Sequence, residues 1–159
     1  MWNEDERSLR GANASEGTGA FMARWLRVLW LPGVVFLLHL ALASDLDIYL
    51  RYELTDELMH PAGGFAIAFA VARALDELRA RSLVPDPGRP LRATLVVSLS
   101  ATAAVLWELA EFVSDRYFGT RTLGDLEDTL ADMALGIAGA LVYLAVDVMM
   151  RGRAGRANR

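Results

Sequence analysis

Glu108, Glu111 and Asp115 stand at positions i, i+3 and i+7, and Asp125, Asp128 and Asp132 repeat that spacing. At ~100° per residue, each trio falls within an arc of roughly 60° on a helix. Two helices would thus each present three carboxylates on one face. Asp56 and His60, at i and i+4, share a face on a third. Carboxylates and an imidazole converging from facing helices match the way helical bundles build metal sites. Oxygen donors suit hard divalent cations such as Mg, and a histidine widens the choice to Mn, Fe or Zn. On this reading His60, Glu108, Glu111, Asp128 and Asp132 hold one or two divalent cations. Asp56 or Asp125 orients the histidine or acts as a general base.

Each acid also has a purely structural explanation to be weighed. Asp125 stands where it could cap a helix, and Asp56 and Glu57 follow Thr55 at the start of another, where the dipole favours negative charge. Glu108, Glu111 and Asp115 lack that explanation, because they lie at a helix C-terminus, where the dipole disfavours acids. Glu108 directly follows fifteen uncharged residues, Ala93–Trp107, which places it at the border of an apolar layer. Ionisable groups at such a depth are functional candidates by default, and Asp132 at the edge of the fourth apolar run is another. Clustered carboxylates need protons, arginines or a cation to share one space. Arg51, Arg116 and Arg121 could serve as structural partners. His39 reads as a polar packing residue, and Asp147 as the partner of nearby arginines.

The elements that must position these groups follow from how the residues are distributed. The chain has 159 residues, 54% hydrophobic, with a formal net charge of −4 and no cysteine. Disulfides, thiolate metal sites and cysteine nucleophiles are excluded, and the acidic balance argues against a nucleic-acid partner. All 16 basic residues are arginine. Apolar residues gather in four blocks, about Trp25–Ala43, Leu58–Ala72, Ala93–Trp107 and Met133–Val146. The last three are shorter than the ~20 residues that cross a bilayer, but helix-compatible flanks extend them. A soluble helix would show a polar face, and neither 26–43 nor 133–146 does. Gly136 and Ala140 add the small-xxx-small spacing of closely packed membrane helices.

The expected fold is therefore all-α: a polytopic membrane protein with four transmembrane helices in a small bundle. Its parts are a polar, disordered tail (1–24), the transmembrane domain (25–150) and an Arg-rich tail (151–159). The Pro-rich stretch 84–90 separates the second helix from the third. Arginines concentrate in both tails and in the middle connection (Arg79, Arg81, Arg89, Arg92), so the positive-inside rule places both termini in the cytoplasm. That puts Asp45, Asp47, Glu53, Asp56, Glu57 and His60 outside, with the acidic ends of helices three and four. Ala41-Leu42-Ala43 has the form of a signal-peptidase site, although the long, acid-containing region before it argues against cleavage.

Three segments carry a family resemblance. Asp56-Glu57-Leu58-Met59-His60 with Gly64-Phe65 resembles the D-x-x-x-H-x-x-x-G-F segment of the YjdF-like bacterial inner-membrane proteins. Trp107-Glu108-Leu109-Ala110-Glu111-Phe112 resembles their aromatic-E-L-x-E-aromatic segment, and residues 124–133 resemble their G-D-x-x-D-T-x-x-D-M segment. More loosely, the pattern is similar to VanZ-like proteins. Pro61 stands where an aromatic is usual and Leu130 where glutamine is expected. The resemblance implies a bacterial inner-membrane location, a helical fold related to longer proteins with additional N-terminal spans, and a special status for these residues. It implies no substrate.

Three functions compete. One is metal-dependent hydrolysis of a lipid or lipid-linked substrate at the outer leaflet. The second is cation or proton transport through the same carboxylates, which the concentration of acids near one face disfavours. The third is a non-catalytic scaffold held by arginine–carboxylate pairs. The bilayer is the expected partner in every case, together with a possible second copy of the chain.

Overall fold

The computed structural model describes residues 17–44, 53–120, 122 and 124–157. Asp45, Asp47, Arg51, Arg121 and both chain ends lie outside the described residues, as does the side chain of Glu53. Four helices make up the fold: α1 (Thr18–Ser44), α2 (Glu53–Ala80), α3 (Gly88–Phe118) and α4 (Leu126–Ala157). All four are long and apolar enough to cross a membrane. α1 begins within the stretch expected to be tail, and α4 carries its helix into the Arg-rich end. Ala20, Met22 and Ala23 favour helix, and Phe21 packs on Trp25 one turn later, with ring centroids 6.2 Å apart. α2 runs unbroken through Pro61, so this proline does not end the helix.

Large apolar side chains face outward on every helix, among them Leu37, Leu58, Leu106 and Val142. In water such a surface would drive aggregation, whereas in a bilayer it is the solvated face. The interior is made of small residues. Ala66, Ala68, Ala72, Val96 and Ala140 are buried, and Tyr143 closes edge-on against Phe65 and Phe69 at 5.3 and 6.2 Å between centroids. Because lipid tails are as apolar as the core, close van der Waals packing must hold these helices together.

α2 is the central helix and contacts all three others, most extensively α4. Two glycines permit that approach. A Cβ at Gly64 would collide with the Gly136 main chain, and one at Gly139 with the Pro61 carbonyl and the Phe65 amide. α3 packs against α2 and α4, while among the described residues α1 makes main-chain contact with α2 alone.

At one end of the bundle, Arg92 of α3 reaches Asp147 of α4 at 2.7 Å and Asp76 of α2 at 3.5 Å. Arg151 bridges the same two acids at 2.7 and 2.9 Å, and Arg24 of α1 approaches Glu77 at 3.6 Å. Asp147 is thus paired with arginines, as expected from its place in the sequence. The connection after α2 is fastened by Arg79 to Asp86 at 2.6 Å, and Asp86 in turn accepts the Gly88 amide at 3.0 Å to start α3. The opposite end of the bundle carries acids of another character.

Candidate metal centre

Three helices bring four titratable groups together at that end. Asp56 and His60 come from α2, one turn apart, Glu108 comes from α3 and Asp132 from α4. The imidazole lies at their centre. Its Nε2 is 3.4 Å from Asp56 Oδ1 and 3.6 Å from Asp132 Oδ2, and its Nδ1 is 3.6 Å from Glu108 Oε1. Glu108 and Asp132 are buried, each only 5% exposed.

These distances are informative. They are long for nitrogen–oxygen hydrogen bonds, which cluster near ~2.9 Å. Two donors each about 2.1 Å from one tetrahedral ion stand about 3.4 Å apart, which is the spacing around Nε2. One donor atom each from Asp56, His60 and Asp132 all fall within 4.8 Å of one another, close enough to hold a metal ion. Nδ1 then faces a different carboxylate, Glu108, in the arrangement by which a carboxylate fixes the orientation of a ligating histidine. Glu108 Oε1 is buried without a hydrogen-bond partner. A buried carboxylate oxygen left in that state is costly, unless the imidazole or a bound group satisfies it.

Among the described residues, arginine does not account for the cluster; Arg51 and Arg121 lie outside them. Among the described residues no arginine comes within ion-pair distance of Asp56, Glu108, Glu111 or Asp132, and Arg116 lies over the Tyr117 ring at 5.7 Å. The described arginines are engaged mainly at the far end of the bundle.

The remaining candidates stand around this centre. Glu111 is half-buried and accepts the Trp107 indole N–H at 2.9 Å, so it is adjacent to the trio without belonging to it. Asp128 lies one turn before Asp132 and is exposed. Asp115 accepts from the Thr122 amide at 3.0 Å and from the Thr120 and Thr122 hydroxyls, which clamps the connection between α3 and α4. Asp125 accepts the Glu127 and Asp128 amides at 2.9 and 3.0 Å, the hydrogen bonding of a helix N-cap. Asp125→Ala is therefore expected to lower stability by about 1 kcal/mol while leaving cation affinity unchanged. Unfolding and cation titrations of the variant would check both, and a loss of affinity would return Asp125 to the site.

Beside the centre lies a cavity of about 450 Å³ between α1, α2 and α3. Asp56, His60 and His39 line it toward one end, and Pro32, Val35, Ile67 and Ala103 are among its apolar walls. Ser100 Oγ, buried and without a hydrogen-bond partner, also belongs to its lining. Sequence patterning did not reveal this space. Its signal was the run of small residues Gly63, Gly64, Ala66, Ala103 and Ala104, which leaves two helix faces without bulk. His39 and Trp107 acquire a role that spacing could not show, since their rings meet edge-on at 4.8 Å in the cavity lining.

Comparison with known proteins agrees with the fold. An uncharacterized protein of Thermotoga maritima is 30% identical over 129 residues, an alignment covering 80% of this chain and 64% of that relative. The chain thus spans slightly less than two thirds of the relative's length. No solved structure matches. Residues 19–153, which contain all four apolar helices and every member of the acid–histidine cluster, match the family described as predicted membrane protein (DUF2238), and the chain belongs to that family.

Proposed function

We propose that this is a multi-pass protein of the bacterial inner membrane, with both termini in the cytoplasm and a divalent-cation site at its outer face that supports hydrolysis of a lipid-linked substrate. The observation that carries this reading is the approach of Asp56, His60 and Asp132 within 4.8 Å on two helices, next to a cavity within the membrane-spanning layer. The orientation is supported by Arg79, Arg81, Arg89 and Arg92 in the α2–α3 connection, together with Arg24, Arg27, Arg151 and Arg153 at the same end. The resemblance to YjdF-like proteins, and more distantly to VanZ-like proteins, belongs to the same reading.

Asp56, His60 and Asp132 would hold the ion, and Glu108 would orient the imidazole through Nδ1. A cation bound there supplies Lewis acidity toward a phosphoryl or acyl oxygen. In the hydrolysis, the water oxygen bonds to phosphorus or carbon and the bond to the leaving oxygen breaks. One water proton passes through a carboxylate to that leaving oxygen. Glu111 is available for this transfer, because it lies within electrostatic range of Asp56 and His60 and outside the ligand trio. Transport is less well supported. Val96, Ala140 and Tyr143 fill the interior between the cluster and the opposite end, and the Arg92–Asp76–Asp147–Arg151 network closes that end.

Purified protein incubated with phosphatidylglycerol vesicles and Mg, Mn or Zn tests the reaction through released headgroup, followed by phosphorus NMR. Release that EDTA abolishes and that Asp132→Asn lacks is the expected result. No release with any of the three cations counts against this lipid class, and an EDTA-insensitive activity rules out the metal mechanism.

A further inference from the structure

We propose that the α1–α2–α3 cavity takes one hydrocarbon chain of a membrane lipid, which enters sideways between α1 and α3 and leaves its headgroup at the Asp56–His60–Asp132 cluster. The inference rests on the lipid-linked reading above and specifies how such a substrate is held. Three observations carry it.

The first is the polarity of the lining. Pro32, Val35, Ile67 and Ala103 form apolar wall, whereas Asp56, His60 and His39 gather toward the end where α2 begins and α1 ends. A space that is apolar along its length and ionic at one end is complementary to a lipid. Its volume of about 450 Å³ lies within the ~300–1,000 Å³ of ordinary ligand pockets.

The second is the side opening. Among the described residues α1 shares no main-chain contact with α3 or α4. Only side chains span the gap, with Trp107 of α3 meeting Phe36 at 6.2 Å and His39 at 4.8 Å between ring centroids. The Trp107 indole is tethered to Glu111, so the aromatic contact sits at the cluster end. The third observation concerns the surroundings. Large apolar side chains of α1 such as Leu26, Leu29, Val34 and Leu37 are exposed, which puts the opening among lipid tails. Apolar cavities exclude water, so the hydrocarbon next to the gap is the matching occupant.

Gly63 supplies the decisive substitution. It lines the cavity, and a Cβ there meets nothing within 4 Å, so Gly63→Leu can start a side chain into the space without its Cβ striking the backbone. Ala103→Leu fills it from the α3 side. The probe is phosphatidylglycerol with a diazirine at the middle of one acyl chain, reconstituted with the full chain in nanodiscs, irradiated and mapped by peptide mass spectrometry. Wild type is expected to label Ile67 and Ala103 in addition to the outward-facing Leu141 and Val142. Gly63→Leu and Ala103→Leu should lose the cavity label and keep the surface label. Should one variant not fold, the other, together with the wild-type map, decides the matter. Labelling confined to the outward face in wild type, or cavity labelling indifferent to both substitutions, overturns the proposal. The same samples are melted with and without Mg, Mn, Ca and Zn. Cavity labelling without a shift from any of the four would leave this inference standing and remove the metal reading. A cation-induced shift without cavity labelling would do the reverse.

Discussion

Mn added to the detergent-solubilised protein at about a hundred times its Kd is expected to stabilise the fold by about 2.7 kcal/mol, and Asp132→Asn is expected to abolish that response. The donors come from two helices far apart in sequence, Asp56 and His60 on α2 and Asp132 on α4. The unfolded chain does not hold them together, so a cation that binds them binds the native state, and its affinity becomes folding stability. A second outcome sharpens the test. Without a cation, three carboxylates surround one imidazole, and no described arginine pairs with them. Removing the Asp132 charge relieves repulsion, so the variant should melt no lower than wild type in EDTA while losing its response to Mn. Glu108→Gln should behave differently, with a weakened response, because its carboxylate faces Nδ1 and orients the ring. A wild-type midpoint that ignores Mg, Mn, Ca and Zn alike would remove the basis of the site. So would a shift that Asp132→Asn leaves intact.

Gly64→Val is expected to be the most damaging single substitution in the membrane-spanning region, costing about 3 kcal/mol. The new Cβ would run into the main chain of Gly136, and backbone cannot yield as the end of a flexible side chain can. The two helices that would be forced apart are α2 and α4, which between them carry Asp56, His60 and Asp132, so the response to Mn should be lost along with stability. Gly63→Ala is the matched control, since its Cβ meets nothing within 4 Å, and its effect should stay within roughly 0.5 kcal/mol. Denaturant titration in detergent measures both. A Gly64→Val protein as stable as Gly63→Ala would show that the α2–α4 approach is looser than the structure describes.

Much of the architecture is legible without coordinates, because a bilayer imposes a simple rule: an apolar block that helix-compatible flanks extend to spanning length must become a helix that satisfies its own backbone. The four blocks became four helices for that reason. Their ends were less legible. α1 starts at Thr18 and α4 runs to Ala157, past the points where hydropathy falls, with the i,i+4 pair Asp147–Arg151 bridging the end of the fourth apolar run.

The candidate site divides in the same way. Periodicity along one helix determined that Asp56 shares a face with His60, and that Asp128 and Asp132 share another. It also singled out Glu108 as an acid following an apolar run. What periodicity cannot supply is axial register between helices. Only the close approach of Gly64 to Gly136 and of Gly139 to Pro61 decided that Asp132, and not the exposed Asp128, meets the imidazole. Asp125 took the capping role that its position allowed and Asp115 a loop contact, a choice that a face-by-face reading leaves open. The cavity, and the meeting of His39 with Trp107 in its lining, had no sequence signature beyond small residues and aromatics near a helix end. Local hydropathy and helical period are properties of a few consecutive residues, so the chain alone determined the helices and the faces of its acids. Which faces meet depends on how backbones pack across the bundle, and that was decided only in three dimensions.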